Sequence, residues 1–144
     1  MKNGKLLTKC LAVLTALVML AGLTACDKRK SEGKAAKKVL TAYFTAYEKA
    51  DYEKMKPYCS DEFVETYFHE GDVFGNEWAK LLECSLDGRE TEDGTLIFDV
   101  KVTEKPVEGS TFYDPDEPEQ TDFLLYIMEK EADGKWRVTG LDRI

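Results

Sequence analysis

Asp99, His69 and a pair of cysteines are the side chains whose types and settings first suggest chemistry. Asp99 stands mid-way along Leu96-Ile97-Phe98-Asp99-Val100-Lys101-Val102, where a carboxyl taken out of water would gain a raised pKa and serve as general acid or base. Alternation argues against that use. Phe98, Val100 and Val102 share one strand face, while Ile97, Asp99, Lys101 and Thr103 share the other, so Asp99 is expected in solvent beside Lys101. His69 is the one histidine of the chain. It lies between Glu65 and Glu70 near a helix end, and is expected as a solvated surface residue. Cys59 and Cys84 are open to two readings, a disulfide in an oxidising compartment or two buried thiols, and spacing alone does not choose. Zinc wants three or four ligands, which one histidine and two cysteines do not supply. Asp114, Asp116, Glu117, Glu119 and Asp122 offer oxygen ligands of the kind calcium takes. Their loop lacks the glycine and closing glutamate of an EF-hand and is stiffened by Pro115 and Pro118, so a solvated loop is expected. No catalytic residue, metal or cofactor is predicted.

Seven aromatic residues, Tyr43, Tyr47, Phe63, Tyr67, Phe98, Tyr126 and Trp136, are spaced to line a pocket or to fill a core, and core is the expectation. The elements that position them can be read from periodicity. Ala36, Val39, Leu40, Tyr43, Phe44 and Tyr47 recur at three and four residues, predicting a helix over Ala35–Ala50. Asp51 can cap a second helix that Pro57 cuts short, and Ser60 can cap a third through Phe63 and Tyr67, with Gly71 as its stop. Asn76–Leu82, "NEWAKLL", is expected to add a helical turn.

The period then changes to two. Leu82, Cys84 and Leu86 predict one strand, and Leu96, Phe98, Val100 and Val102 a second, joined by a turn at "TEDG". "DFLLYIMEKE" reads as a strand covered on both faces. "ADGK" is a hairpin turn returning through Trp136 and Val138. A Pro- and acid-rich loop, residues 106–121, lies between the second and third strands. Helices followed by an antiparallel meander predict an α+β domain, its helices on one face of a curved sheet of about four strands.

Ahead of this domain, residues 1–25 have the parts of a secretory signal: Lys2, Lys5 and Lys9, then the apolar stretch Cys10 to Gly22, then small residues. The apolar stretch is well short of the ~20 residues of a spanning helix. Leu23-Thr24-Ala25-Cys26 resembles the bacterial lipobox. The resemblance implies that Cys26 receives a diacylglyceryl group on its sulfur and becomes the first residue after cleavage. Two acyl chains hold a protein on a membrane stably where one does not. The localisation expected is the cell membrane, lipid-anchored on the extracytoplasmic face. Residues 26–34 read as the lipidated cysteine and a flexible, disordered tether, and residues 35–144 as one domain.

Removing the three lysines of residues 1–25 leaves 17 basic against 28 acidic side chains, a formal charge near −11. Such an acidic chain lacks the basic footprint that nucleic acid requires. Attraction to anionic lipid is not expected either, apart from Lys28-Arg29-Lys30 beside the anchor. Monomer and homodimer are both left open.

"VLTAYFTAYEKADYEKMKPYCSDEF" resembles the opening of the nuclear transport factor 2-like (cystatin-like) superfamily, and "DGKWRVTGL" is similar to its last strand. The similarity covers most of residues 35–144 and is nearest to small lipoproteins of Gram-positive bacteria. Pro57 and Cys59 depart from the family's unbroken second helix. The resemblance implies a cone whose concave sheet face, roofed by the long helix, can hold a small molecule. Some members, such as ketosteroid isomerase and scytalone dehydratase, are enzymes that work through an acid, histidine or tyrosine in that cone. No ionisable group is expected on the concave face here. The reading is therefore a non-enzymatic binding or accessory module for an envelope protein or a small ligand. A small isomerase, dehydratase or hydrolase is the alternative.

Overall fold

The computed structural model describes residues 4–85 and 88–144, with side chains from Ala25 onward. Lys2 and Leu86, both invoked above, lie outside the described residues. The chain divides into one unit that ends at Glu32 and a second, Gly33–Ile144. Helix α1 runs Gly4–Tyr47. Among the described residues no helix is long and apolar enough to cross a membrane. Residues 26–34, expected as a flexible tether, are helical within α1. Their lysines, arginine and glutamate are ordinary helix formers, no proline interrupts them, and Gly33 is carried within the same helix.

In the second unit the predicted apolar positions of α1 point inward. Ala36, Leu40, Tyr43, Phe44 and Tyr47 are all buried. After a tight turn, Asp51 caps α2 (Tyr52–Met55), its carboxylate accepting from the Lys54 N–H at 3.3 Å. Pro57 sits in a single 3-10 turn, Lys56–Tyr58, where its missing N–H costs no helical bond. Ser60 Oγ then accepts from the Phe63 N–H at 3.1 Å and starts α3 (Asp61–Tyr67). The helix stops at Tyr67, earlier than expected. Gly71, with φ +87°, instead turns the hairpin that joins β1 (Phe68–His69) to β2 (Asp72–Val73).

The sheet is antiparallel and strongly curved into a half-barrel, with the helical segment against it. Its longer strands are β3 (Asn76–Cys84), β5 (Leu96–Pro106), β6 (Gln120–Lys130) and β7 (Trp136–Arg143). They follow one another in space behind β1 and β2, while β4 (Arg89–Glu90) pairs with β5 alone. "NEWAKLL" is thus strand, not helix. Pairing along β5 outweighs the modest helix propensity of Ala79, Lys80 and Leu81. The alternation expected at Leu82 and Cys84 is also out of phase. A bulge between Leu81 and Glu83 sets Leu81 opposite Val102 and Cys84 opposite Val100, and leaves Leu82 45 % exposed. In β6 only Leu124, Tyr126 and Met128 are buried and Phe123 is exposed, so this strand is covered on one face rather than two. Every core residue lies between Ala36 and Leu141, inside Gly33–Ile144.

Candidate functional site

The core face of β5 does not stay apolar. Leu96, Phe98, Val100 and Val102 are followed, two residues on, by Glu104, which is 2 % exposed. A carboxyl so placed must be paired. Asn76, at the start of β3, donates its side-chain N–H to Glu104 Oε1 at 3.0 Å, and Arg143, near the end of β7, donates to Glu104 Oε2 at 2.9 Å. Arg143 also donates to Asp122 of β6. Its guanidinium carbon lies 4.0 Å from the centre of the Phe112 ring and 5.5 Å from that of Phe74, which stack on each other. One cation thus binds two carboxylates while two aromatic faces cover it, a cation–π arrangement that desolvation strengthens. Burial raises the Glu104 carboxyl above its ordinary value, and Arg143 works in the opposite direction.

The cluster also pins the acidic loop. Phe112 brings the 107–119 segment onto Arg143, Gln120 donates to the Phe112 carbonyl at 2.9 Å, and the Val107 N–H donates to the Gly75 carbonyl at 3.0 Å. Asp122, one of the five acidic residues considered for calcium, is engaged by Arg143, while Asp114 accepts the Asp116 N–H within the exposed loop.

The side chains singled out from the sequence fall elsewhere. Asp99 is half-exposed and pairs with Arg89 at 3.2 Å, on the solvent face as its register required. His69 is exposed, with its Nδ1 3.4 Å from Asp72 Oδ1. Cys59 and Cys84 are free cysteines, so the disulfide considered for them is not formed. Cys59 bridges to Val138 on β7 and Cys84 belongs to β3, with β5 and β6 between those strands. Each strand step spans about 4.8 Å, and a disulfide tolerates a Cα separation of only about 7 Å. Burial pushes the Cys59 thiol up to about 12, with Arg137 acting against it.

The seven aromatics are brought together as core. Tyr43 meets Phe44, Tyr47, Phe63 and Tyr126 at ring-centre distances of 5.2 to 6.4 Å. Phe98 and Trp136 are buried with them and Tyr67 is half-buried. Tyr47 donates to the Val73 carbonyl at 2.5 Å, tying α1 to the β1–β2 hairpin. A separate open cleft of about 280 Å³ is lined by Ala42, Thr45, Ala46, Lys49, Asp51, Lys54 and Tyr58. None of the seven aromatics belongs to it.

Glu104 and Arg143 were missed from the sequence for different reasons. Glu104 was legible, being the next member of the alternation that ends at Val102. Arg143 was not. The β7 register shifts opposite Ile127 and Met128, moving the inward positions from Val138 to Leu141 and hence to Arg143. No protein-family model matches the chain, and no curated protein matches it in sequence.

Proposed function

We propose that Cys26 is lipidated and that the chain acts on the extracytoplasmic face of the cell membrane as a non-enzymatic binding or accessory module. The domain is read as nuclear transport factor 2-like (cystatin-like), and its partner as an envelope protein or a small ligand. The observation that carries the reading is the order of the N-terminal residues: basic Lys2 to Lys9, apolar Cys10 to Gly22, then Leu23-Thr24-Ala25-Cys26. An exposed Cys26 is consistent with it. A helical segment against a curved antiparallel sheet agrees with the proposed fold at the level of class. The exposed 107–119 loop, held at both ends on a rigid sheet, is the surface best suited to recognition.

One observation favours the alternative, a small pocket enzyme. Glu104 is a buried carboxyl on the core face with a raised pKa, the kind of group that proton transfer requires. Both its oxygens are already engaged, by Asn76 and Arg143, and the binding reading leads for that reason.

Expression in a bacterium with lipoprotein processing, followed by mass analysis of the N-terminal peptide, tests the anchor. The expected peptide begins at Cys26 and carries a diacylglyceryl group, and Cys26→Ser abolishes both cleavage at that point and the added mass. An unmodified Cys26 in the wild-type chain would overturn the reading.

A further inference from the structure

We propose that residues 28–38 make a second membrane contact, a basic stretch that takes the headgroups of anionic phospholipid beside the lipidated cysteine; the proposal rests on the lipid-anchor reading of Cys26. Charge is distributed very unevenly beyond that residue. Residues 27–38 hold six basic side chains, Lys28, Arg29, Lys30, Lys34, Lys37 and Lys38, against Asp27 and Glu32, a formal charge of +4. Residues 39–144 hold 11 basic against 26 acidic, a formal charge of −15. No acidic residue occurs between Glu32 and Glu48.

Lys37 is half-buried and donates to the Cys84 carbonyl at 3.1 Å. Lys28, Arg29, Lys30, Lys34 and Lys38 are exposed. Within α1, Lys34 and Lys38 are one turn apart, on the side of the helix away from Ala36 and Leu40, which are fully buried. That face has no part in the core. Lysines elsewhere in the domain meet carboxylates, as in Lys80–Glu48, Lys101–Glu83 and Lys105–Glu77. Among the described residues, Lys34 and Lys38 make no ion pair.

A lysine near an anionic bilayer improves binding by about fivefold, and the attraction fades within a Debye length of about 8–10 Å. Lys28, Arg29 and Lys30 follow the membrane-held cysteine by two to four residues, within that range at about 1.5 Å of helix rise per residue, and Lys34 and Lys38 come within it when this stretch of helix lies along the surface. The −15 body is repelled by the same surface. Anchor and basic stretch thus hold one end of the chain at the headgroups while the acidic domain is pushed outward.

The test uses the unlipidated chain 27–144, which retains every core residue. Its sedimentation is measured with vesicles of equal parts phosphatidylglycerol and phosphatidylcholine, and with vesicles of phosphatidylcholine alone. Binding is expected only to the first, weakening as salt is raised. The triple variant Lys30→Gln, Lys34→Gln, Lys38→Gln should bind them about a hundredfold more weakly. A control in which Lys56, Lys80 and Lys105 become Gln should change far less, and circular dichroism checks that all three chains are folded. Equal binding to both vesicles, no binding to either, or a triple variant indistinguishable from the control would overturn the proposal. Loss of the anchor itself would show only in the Cys26 peptide mass, so the two failures are separable.

Discussion

Arg143 holds together groups that could not be buried alone. Removing one member of a buried ion pair strands the other charge, at a typical cost of 3–5 kcal/mol. Arg143→Met should therefore destabilise the domain by about that amount, and adding Glu104→Gln should recover most of the loss. Urea unfolding of the two variants measures this; a double variant no better than Arg143→Met would show that the lost packing on Phe112 dominates. A pH dependence follows from the same residue. Burial raises the Glu104 carboxyl above its ordinary 4.5, so the folded chain holds that proton more tightly than the unfolded chain. Its stabilising contribution is full below about 4.5 and is lost as pH rises through the folded value. The stability of wild type relative to Glu104→Gln should increase as pH falls from neutral. A difference in urea midpoint that stays constant over that range would refute the assignment.

At the scale of elements, turns and bulges position the cluster. The β2–β3 connection is a two-residue turn in which Phe74 and Gly75 have φ of +55° and +77°. This is the geometry that matches strand twist and that glycine takes without strain. Phe74 adopts it against its own preference, with its ring held between Tyr67 and Phe112. Gly75→Ala should cost about 1–2 kcal/mol from the left-handed backbone alone, read as a fall in thermal midpoint. Ser110 would meet the new methyl only at ordinary contact distance, 3.4 Å. No change in midpoint would mean that the turn relaxes to another form. Capping was legible at this scale because it is local: Asp51 and Ser60 each satisfy an N–H three residues on. The strand assignment of Asn76–Cys84 was not, because Ala79, Lys80 and Leu81 accept either period and the partner that decides lies over twenty residues away on β5.

For the molecule as a whole, what could be read from the chain alone was whatever depends on residue type and near spacing. That includes the lipobox-like N-terminus as an expectation, the apolar stripe of α1, the alternation of β5, the hairpin at Asp133-Gly134, and the succession of helices by a meander. The uneven charge was likewise present in the residue order, although its meaning depended on learning that Lys34 and Lys38 stand free of the core. Tertiary structure alone decided the rest. It separated Cys59 from Cys84 by two strands and packed seven aromatics into a core. It also gathered Asn76, Glu104, Phe112, Asp122 and Arg143 from five separate stretches into one cluster, with two carboxylates on one cation. The physical reason is the same in each case. A capping bond or an alternating face is settled by neighbours a few residues away, whereas a strand register or a buried pair is settled by the packing of segments whose separation along the chain carries no such signal. Bulges in β3 and β7 shift the inward face by one residue, and only pairing with the neighbouring strand shows where.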